Sequence, residues 1–569
     1  MIPWKLRQKT LDLLADESNT VYKDHGGRIR VALAFPNTYF VGMSNLGLQV
    51  VYGLLNARED VVCERVFMPE PEDEPVYASG GATLCSLESA TPLHAFDLVA
   101  FSLCYEQDYL NVMKMLAWGG LAPRREERAE AAPLVIGGGI CVFYNPEPLA
   151  DFFDIFLIGE AEVMLDGFLD CWQEAVHGGA GRAETAEALR DLAGVYVPAG
   201  YEVAYAEDGT VEAIEPRPGY PAVVSKQQVG DFSERAASTQ IITPHTEFGG
   251  MYLIEANRGC ARRCRFCVVG YVSADARFPT KEHVLERVRE ALAAHKRVGL
   301  VGPSVFDHPQ VEEIVEEAVA MGAQVSISSL RLNSLSERLL LALKASGHRT
   351  ITLAPEAGSD RLRDVIFKPA GEEEILEKVA LVARAGFPNL KLYIMIGLPT
   401  ETDADIEDLI RLAKRCKHTM LAERSDPRTL GRVTLSVNPF IPKAQTPFQW
   451  DVFCDAKRLE AKLKTLRRAL GRVPNVEVTY ELPKWSYVQT ILSVGDRRVG
   501  RLLERVVESG GHWGRALRAH PVNPDFYAYR ERAYEERLPW DHIAGGLSKQ
   551  KLAAQRKRAY DIASASTVA

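Results

Sequence analysis

From Met251 to Pro442 the chain repeats one pattern six times: a short apolar run closed by Gly, Pro or a polar residue, then an amphipathic helical stretch. The apolar runs are MYLIEANRG, RVGLVGPSV, VSISSLR, TITLAPEAG, LKLYIMIGLP and RVTLSVNPFIP. Stretches such as KEHVLERVREALAAH, PQVEEIVEEAVAMG and ADIEDLIRLAKRC fill the gaps. Strands that alternate with helices build a parallel sheet with right-handed crossovers. Six such units imply a (β/α) barrel or partial barrel over residues 248–450. In that architecture ligands gather at the C-terminal ends of the strands, and there this sequence puts its Gly, Pro, Glu, Arg and Cys.

A second alternation precedes the first. RIRVALAFP, LVAFSLCY, PLVIGGG and DIFLIGE are short, apolar and closed by turn residues, as strands buried on both faces are. With GLQVVYGLLNAR, LNVMKMLAWGG and VMLDGFLDCWQEAV as helices, they imply a doubly wound, Rossmann-like parallel sheet over residues 28–178. YEVAYAEDGTVEAIEP alternates around Asp-Gly, a hairpin signal, inside a hairpin and linker region at 179–247. Residues 1–27 read as an N-terminal helix, and 451–569 as a mainly helical extension ending in a small polar tail expected to be disordered. The α/β class follows, in several units, because 569 residues exceed what one core supports.

Composition narrows the setting. A net charge of -9 argues against a general nucleic-acid binder and leaves room for a local basic groove. No apolar run reaches the roughly 18 residues of a membrane span, and no signal-peptide core opens the chain. The ten cysteines are not spaced as a disulfide scaffold, so a soluble, reducing, cytoplasmic setting is expected.

Three of those cysteines are packed together. RGCARRCRFCVVGY places Cys260, Cys264 and Cys267 within eight positions, directly after the first barrel strand. Three thiolates on one loop can wrap three corners of a cubane iron–sulfur cluster. The fourth iron then stays open, in the manner of the vacant position at a catalytic metal. A closed zinc site wants a fourth local ligand, whereas Cys-x-x-Cys alone would also suit a redox dithiol.

The spacing Cys-x3-Cys-x2-Cys, with aromatic Phe266 before the last cysteine and a six-fold barrel behind it, resembles the radical S-adenosylmethionine (SAM) superfamily over residues 250–450. The resemblance implies a [4Fe-4S] cluster on Cys260, Cys264 and Cys267, with SAM chelating the open iron. It implies reductive cleavage of SAM to a 5′-deoxyadenosyl radical, driven by an electron donor such as flavodoxin or ferredoxin. It also assigns SAM contacts at the strand ends: Phe266, the small residues Gly302, Pro303 and Ser304, then Ser329 and Arg331, Glu356, and the turn Gly397-Leu398-Pro399. Arg331 would pair with the SAM carboxylate. Each of these positions also suits a plain turn residue or a solvated rim charge.

A doubly wound domain ahead of such a barrel resembles the cobalamin-binding domain of many superfamily members. Its first βα loop reads Asn37-x-Tyr39-x-x-Gly42, without the histidine that ligates cobalt from below. Ser102, Gly137 and Gly138 stand where small residues meet the nucleotide tail, and Gly159-Glu-Ala-Glu162 is typical of the combined architecture. With cobalamin the resemblance implies methyl transfer to an unreactive carbon or phosphorus centre. Without it, the alternatives are a cobalamin-free radical SAM enzyme modifying RNA or protein, or a non-catalytic iron–sulfur redox sensor or scaffold. ELPKWSYVQTILSVGDRRVGRLLE and LPWDHIAGGLSK resemble the tail of an uncharacterised radical SAM family of the same three-part layout. There Trp485, Trp540, Asp541 and His542 are candidate lid or substrate contacts, against a reading in which they start a helix with Trp540 in the core. No substrate is implied.

Overall fold

The computed structural model describes residues 2–327, 332–426 and 431–565. Apolar runs in the first third form β1 (Ile29–Thr38), β2 (Val61–Met68), β3 (Leu98–Ser102), β4 (Leu134–Gly138), β5 (Ile155–Leu157) and β6 (Val195–Tyr196). They lie in the order β2-β1-β3-β4-β5-β6, parallel except for β6. The chain steps from β1 outward to β2 and then returns past β1 to β3, so the strand order reverses between β1 and β3. At such a switch point the loops part and leave a crevice.

The strand β2 is one the apolar pattern does not announce, because Glu64 and Arg65 interrupt VVCERVFM. The fold buries them nonetheless. Arg65 donates to both carboxylate oxygens of Glu17 at 2.6 Å and to Glu88 at 2.7 Å, and all three side chains are at most 2% exposed. Two buried carboxylates thus share one guanidinium, whose planar fork grips Glu17 bidentately while Nε reaches Glu88 and the Arg65 backbone N–H donates to the other Glu88 oxygen.

A hairpin follows, β7 (Tyr201–Tyr205) and β8 (Val211–Pro216), turning at Asp208-Gly209. The short β9 (Val224–Ser225) lies in the linker. The barrel strands are β10 (Tyr252–Glu255), β11 (Arg297–Val301), β12 (Gln324–Ile327), β13 (Thr350–Glu356), β14 (Asn389–Ile396) and β15 (Val433–Pro439), all parallel within a three-stranded and a four-stranded sheet. Both sheets share one apolar core with their helices. The rest of the expected third strand, residues 328–331, lies outside the described residues.

A seventh strand, β16 (Val476–Tyr480), adds parallel to β15. Its half-exposed, alternating VEVTY carries too little apolar content to stand out in the sequence. Along β13 and β14 burial alternates strictly, odd β13 and even β14 residues packing on helices and the others facing inward.

The helix Ala456–Leu470 connects β15 to β16, and beyond β16 the chain is mainly helical, with helices Pro483–Val494, Val499–Glu508 and Lys549–Ala565. The last packs on the barrel helix Asp360–Val365, while Val499–Glu508 packs on Tyr109–Trp118 of the first sheet, so the extension touches both layers. A final strand, β17 (Ile543–Ala544), pairs with β9. The polar tail after Ala565 lies outside the described residues. Among the described residues no helix is long and apolar enough to cross a membrane.

The Arg65 cluster generates a stability prediction. Arg65→Ala strands Glu17 and Glu88 in the interior and should lower the unfolding free energy by about 3–5 kcal/mol, read from the chemical denaturation midpoint. Arg65→Lys should recover only part of this, since an ammonium cannot grip Glu17 bidentately and reach Glu88 at the same time. A loss below about 1 kcal/mol in Arg65→Ala would show the cluster to be dispensable.

Candidate functional site

The cysteine loop leaves the end of β10 and is tied down at both ends. Gly259 has φ +78, and a Cβ there would stand 2.3 Å from the Asp275 carbonyl, so only glycine fits. Arg258 and Arg277 exchange backbone hydrogen bonds, and the Cys260 N–H donates to the Ser273 carbonyl at 2.8 Å. The buried Asn257 amide donates to the Gly259 carbonyl and to Ser304 Oγ, and accepts from the Ser304 N–H at 2.9 Å. On the far side the Arg265 guanidinium, buried, donates to the carbonyls of Asp364 and Val365. Between these anchors the chain turns through Arg263 at φ 55, with the Cys267 N–H donating to the Cys264 carbonyl at 3.0 Å.

The result brings Cys260, Cys264 and Cys267 to one cavity of about 560 Å³. Phe266, Pro303 and Glu356 line it as well, joined by Arg262, Lys368 and Tyr393. Burial pushes the Cys267 thiol up, while the backbone N–H groups of Gly270 and Val269 act on its sulfur in the opposite direction. Such N–H contacts are also among the factors that tune cluster potential. No three His, Cys, Asp or Glu side chains among the described residues are placed to share one metal ion. The thiolates of a cubane cluster bind different irons, so they need to face one cavity rather than converge on a point. The donor set fits a three-thiolate cluster with an open iron.

The remaining strand-end residues separate. Glu356, at φ 67, holds Lys368 at 2.7 Å inside the cavity wall. Gly302 lies behind Pro303, where a Cβ would meet Asn257 at 2.3 Å. Ser304 is buried in the Asn257 network and does not line the cavity. Gly397 donates its N–H to Glu401 at 2.9 Å, and Leu398, followed by Pro399, packs with Phe440 and Phe448 behind Phe266. Ser329 and Arg331 lie outside the described residues. Lys368 and Tyr393 escaped the sequence reading; FKPA after a helix and an alternating strand residue gave only faint signals.

A second cavity, of about 470 Å³, opens where the first sheet meets the barrel. Ser102, Gly137 and Gly138 line it from the C-terminal ends of β3 and β4, and Gly259, Gly302 and Pro303 from the barrel side. It continues as an apolar slot between the sheet and helices Leu46–Ala57 and Ala161–His177. Val269 and Pro303 belong to the walls of both cavities. Tyr39 and Gly42 do not reach it. The Tyr39 ring packs 5.3 Å from that of Phe67, its hydroxyl on Glu17, and Gly42 follows on the same short helix Tyr39–Met43.

The seam between the cavities carries charge. Arg258 binds Glu255 at 2.8 Å and Glu162 at 2.7 Å, and reaches Glu160 at 3.2 Å, while Arg277 also binds Glu160. Burial pushes the Glu160 carboxyl up, but Arg277, the Val229 N–H and Arg258 outweigh it and hold the group below its ordinary range. Elsewhere along the junction the buried Glu106 accepts from Lys443, from the Tyr144 hydroxyl at 2.6 Å and from Gln489 at 2.9 Å. Trp540 is a core residue bonded to Gln449, and His542 is buried beside Glu147; neither is a lid.

Comparison with known proteins places this geometry among relatives. Residues 47–198 match the family described as radical SAM proteins, N-terminal, and residues 254–413 match the radical SAM superfamily. The uncharacterised protein MJ0966 of Methanocaldococcus jannaschii is 31% identical over 482 residues, covering 83% of this chain and 90% of that one. The tRNA-2-methylthio-N(6)-dimethylallyladenosine synthase of Geobacillus kaustophilus is 25% identical over 27% of this chain and 32% of its own. Among solved structures, the radical SAM methyltransferase TsrM of Kitasatospora setae with cobalamin and [4Fe-4S] cluster bound aligns with TM-score 0.46 at 13% identity, covering 72% of each chain. The cobalamin-dependent SAM radical enzyme OxsB aligns with TM-score 0.47 at 12% identity, over 94% of this chain and 79% of that one.

One titration follows from the switch point. Asp108 there accepts from Asn37 Nδ2 at 2.9 Å; burial pushes its carboxyl up to about 7, against that hydrogen bond, and neighbouring Glu106 adds to the rise. A carboxyl raised in the folded state keeps a proton that the unfolded chain has released, so its contribution to stability is full below about pH 4 and falls as the pH climbs toward 7. Asp108→Asn retains the acceptor for Asn37 and removes the proton. Its thermal midpoint should therefore fall less than that of the unaltered chain between about pH 5 and 7.5; parallel midpoint curves would contradict the assignment.

Proposed function

The chain belongs to the radical SAM superfamily, and on that premise we propose that it is a cobalamin-linked methyltransferase acting on an unreactive carbon or phosphorus centre. The observation that carries this reading is the wall shared by the two cavities, Val269 and Pro303, which puts a second cofactor-sized space directly beside the three cysteines. The superfamily's cofactors are a [4Fe-4S] cluster and SAM.

When bound, the cluster and SAM supply a 5′-deoxyadenosyl radical, and a corrinoid in the second cavity supplies the methyl group. The protein's part is position and exclusion. Cys260, Cys264 and Cys267 would hold three irons, on a loop that Asn257, Ser273 and Arg265 keep from moving. Phe266, Pro303 and Ala354 give the cavity an apolar wall that keeps water from a reactive species, while Glu356, Lys368 and Tyr393 offer polar contacts. Ser102, Gly137 and Gly138 leave the C-terminal edge of the first sheet free for a flat macrocycle, and the apolar slot below could take its nucleotide tail. Asn37 and Tyr39 are engaged with Asp108 and Glu17, so the first βα loop presents no imidazole or free donor as a lower ligand.

Anaerobic reconstitution tests the cluster half. Full-length protein with dithionite and SAM should bind about four irons per chain and release 5′-deoxyadenosine, and Cys264→Ala should retain little iron at an unchanged thermal midpoint. Unfolding of Cys264→Ala would instead mark a structural metal.

The corrinoid half is tested separately. A Cβ built on Gly138 meets nothing within 4 Å, so Gly138→Leu projects into the second cavity without disturbing the sheet. The unaltered chain should take up hydroxocobalamin with a corrin absorbance and Gly138→Leu should not. A first cavity active in SAM cleavage beside a second that stays colourless would make the chain a cobalamin-free radical SAM enzyme.

A further inference from the structure

Charge is distributed very unevenly along this acidic chain. Residues 456–520 carry fourteen Lys and Arg against six Asp and Glu, while the whole has 67 against 76. These residues build the helix Ala456–Leu470, the edge strand β16, the helices Pro483–Val494 and Val499–Glu508, and the short helix Trp513–Ala519. A few of their cations are spent on ion pairs, Lys462 with Glu401, Arg497 with Glu147 and Arg498 with Asp496. The remaining ones make no ion pair among the described residues, and most are exposed.

Two aromatic rings stand among them. Tyr480 and Trp485 are each 37% exposed, with the Arg467 guanidinium 5.2 Å from the Tyr480 ring and the Lys484 ammonium 5.0 Å from that of Trp485. A groove beside Trp485 is completed by His512, Trp513, Arg515 and Arg518, and its lining contains no carboxylate. The patch also has a defined place. Tyr480 ends β16 at the same end of the barrel as Glu356 of β13, and the Trp485 carbonyl accepts from Gln107, in the loop that follows β3. Stacking faces interleaved with cations, running to the mouth between the two sheets, match what unstacked bases on a phosphate backbone require. An acidic polypeptide needs the cations but has little use for the exposed ring faces.

We propose that this surface docks a single-stranded nucleic acid and presents one of its nucleotides to the barrel mouth as the substrate. The docking stands on the surface alone, whereas the role of the docked nucleotide rests on the radical SAM reading. Net repulsion from the acidic remainder would confine the strand to this track.

The test is fluorescence anisotropy of the full-length chain with a fluorescein-labelled twelve-nucleotide oligouridylate, which needs no SAM turnover. Binding should weaken with salt, log K falling with log salt at about -0.7 per phosphate neutralised. Trp485→Ala should weaken it about 5- to 100-fold and Trp485→Phe much less, since a ring still stacks. The double variant Arg515→Ala/Arg518→Ala should flatten the salt slope by roughly one unit or more, while Lys296→Ala, exposed just before β11 at the opposite end of the barrel, should change nothing. Thermal midpoints confirm folding, and the arginine pair serves if Trp485→Ala is unstable. Absence of binding at low salt would overturn the proposal, as would equal weakening by Lys296→Ala. Binding indifferent to Trp485→Ala and displaced by polyglutamate would also overturn it, and would mark an acidic-protein surface. Such a result with normal release of 5′-deoxyadenosine would leave the enzymatic reading intact.

Discussion

Everything at the centre of this molecule depends on how Arg258 is held. It stands two residues before Cys260, in the loop after the first barrel strand, and its guanidinium reaches Glu160 and Glu162 where the chain passes from β5 into the helix Ala161–His177. Together with Arg277, which also binds Glu160, this side chain ties the cysteine loop to the first sheet. Its backbone, paired with Arg277, sets the loop's exit angle. Charges so enclosed are stable only with all partners present, since losing one leaves another desolvated and uncompensated. The third carboxylate, Glu255, shows the cost: burial raises it above its ordinary range even with Arg258 in contact. The network contributes position more than stability.

The sequence reveals those features whose parts are close together in the chain. The cysteines sit within eight positions, and strand ends recur at regular intervals, so both are legible without a fold. The β/α rhythm likewise exposes the parallel architecture, because burial of a strand writes itself into an unbroken apolar run. What stays hidden is made of distant partners. Arg258 and Glu160 are 98 residues apart, and nothing near either one announces the other. The strand β2 is hidden for the same reason, its central Glu64 and Arg65 finding their partners His25, Glu17 and Glu88 elsewhere in the chain. Position alone also misleads. Ser304 ends a strand as a ligand residue should, yet its hydroxyl is committed to Asn257 and Gly259. Tyr39 holds the expected place in its loop, yet Glu17 and Phe67 draw it away from the crevice.

The C-terminal extension gives the two layers a common boundary. Its helices pack on the first sheet through Val499–Glu508 and on the barrel through Lys549–Ala565, while Gln489 joins Lys443 on Glu106 between them. A negatively charged enzyme with one positively charged wing at its mouth has an orientation preference built into its field. Net charge, taken over the whole chain, conceals this.

The ribbon of β9 and β17 ties Val224 to Ile543. Closing a chain loop of that size costs roughly 5 kcal/mol in configurational entropy by the logarithmic rule. So distant a pairing forms late, after the contacts that shorten the path have formed. On the ribosome the first sheet and the barrel strands emerge before β17 exists, and the linker carrying β9 waits unpaired until synthesis has passed residue 544. A chain that stops before that point lacks the clasp on the segment joining its two α/β halves.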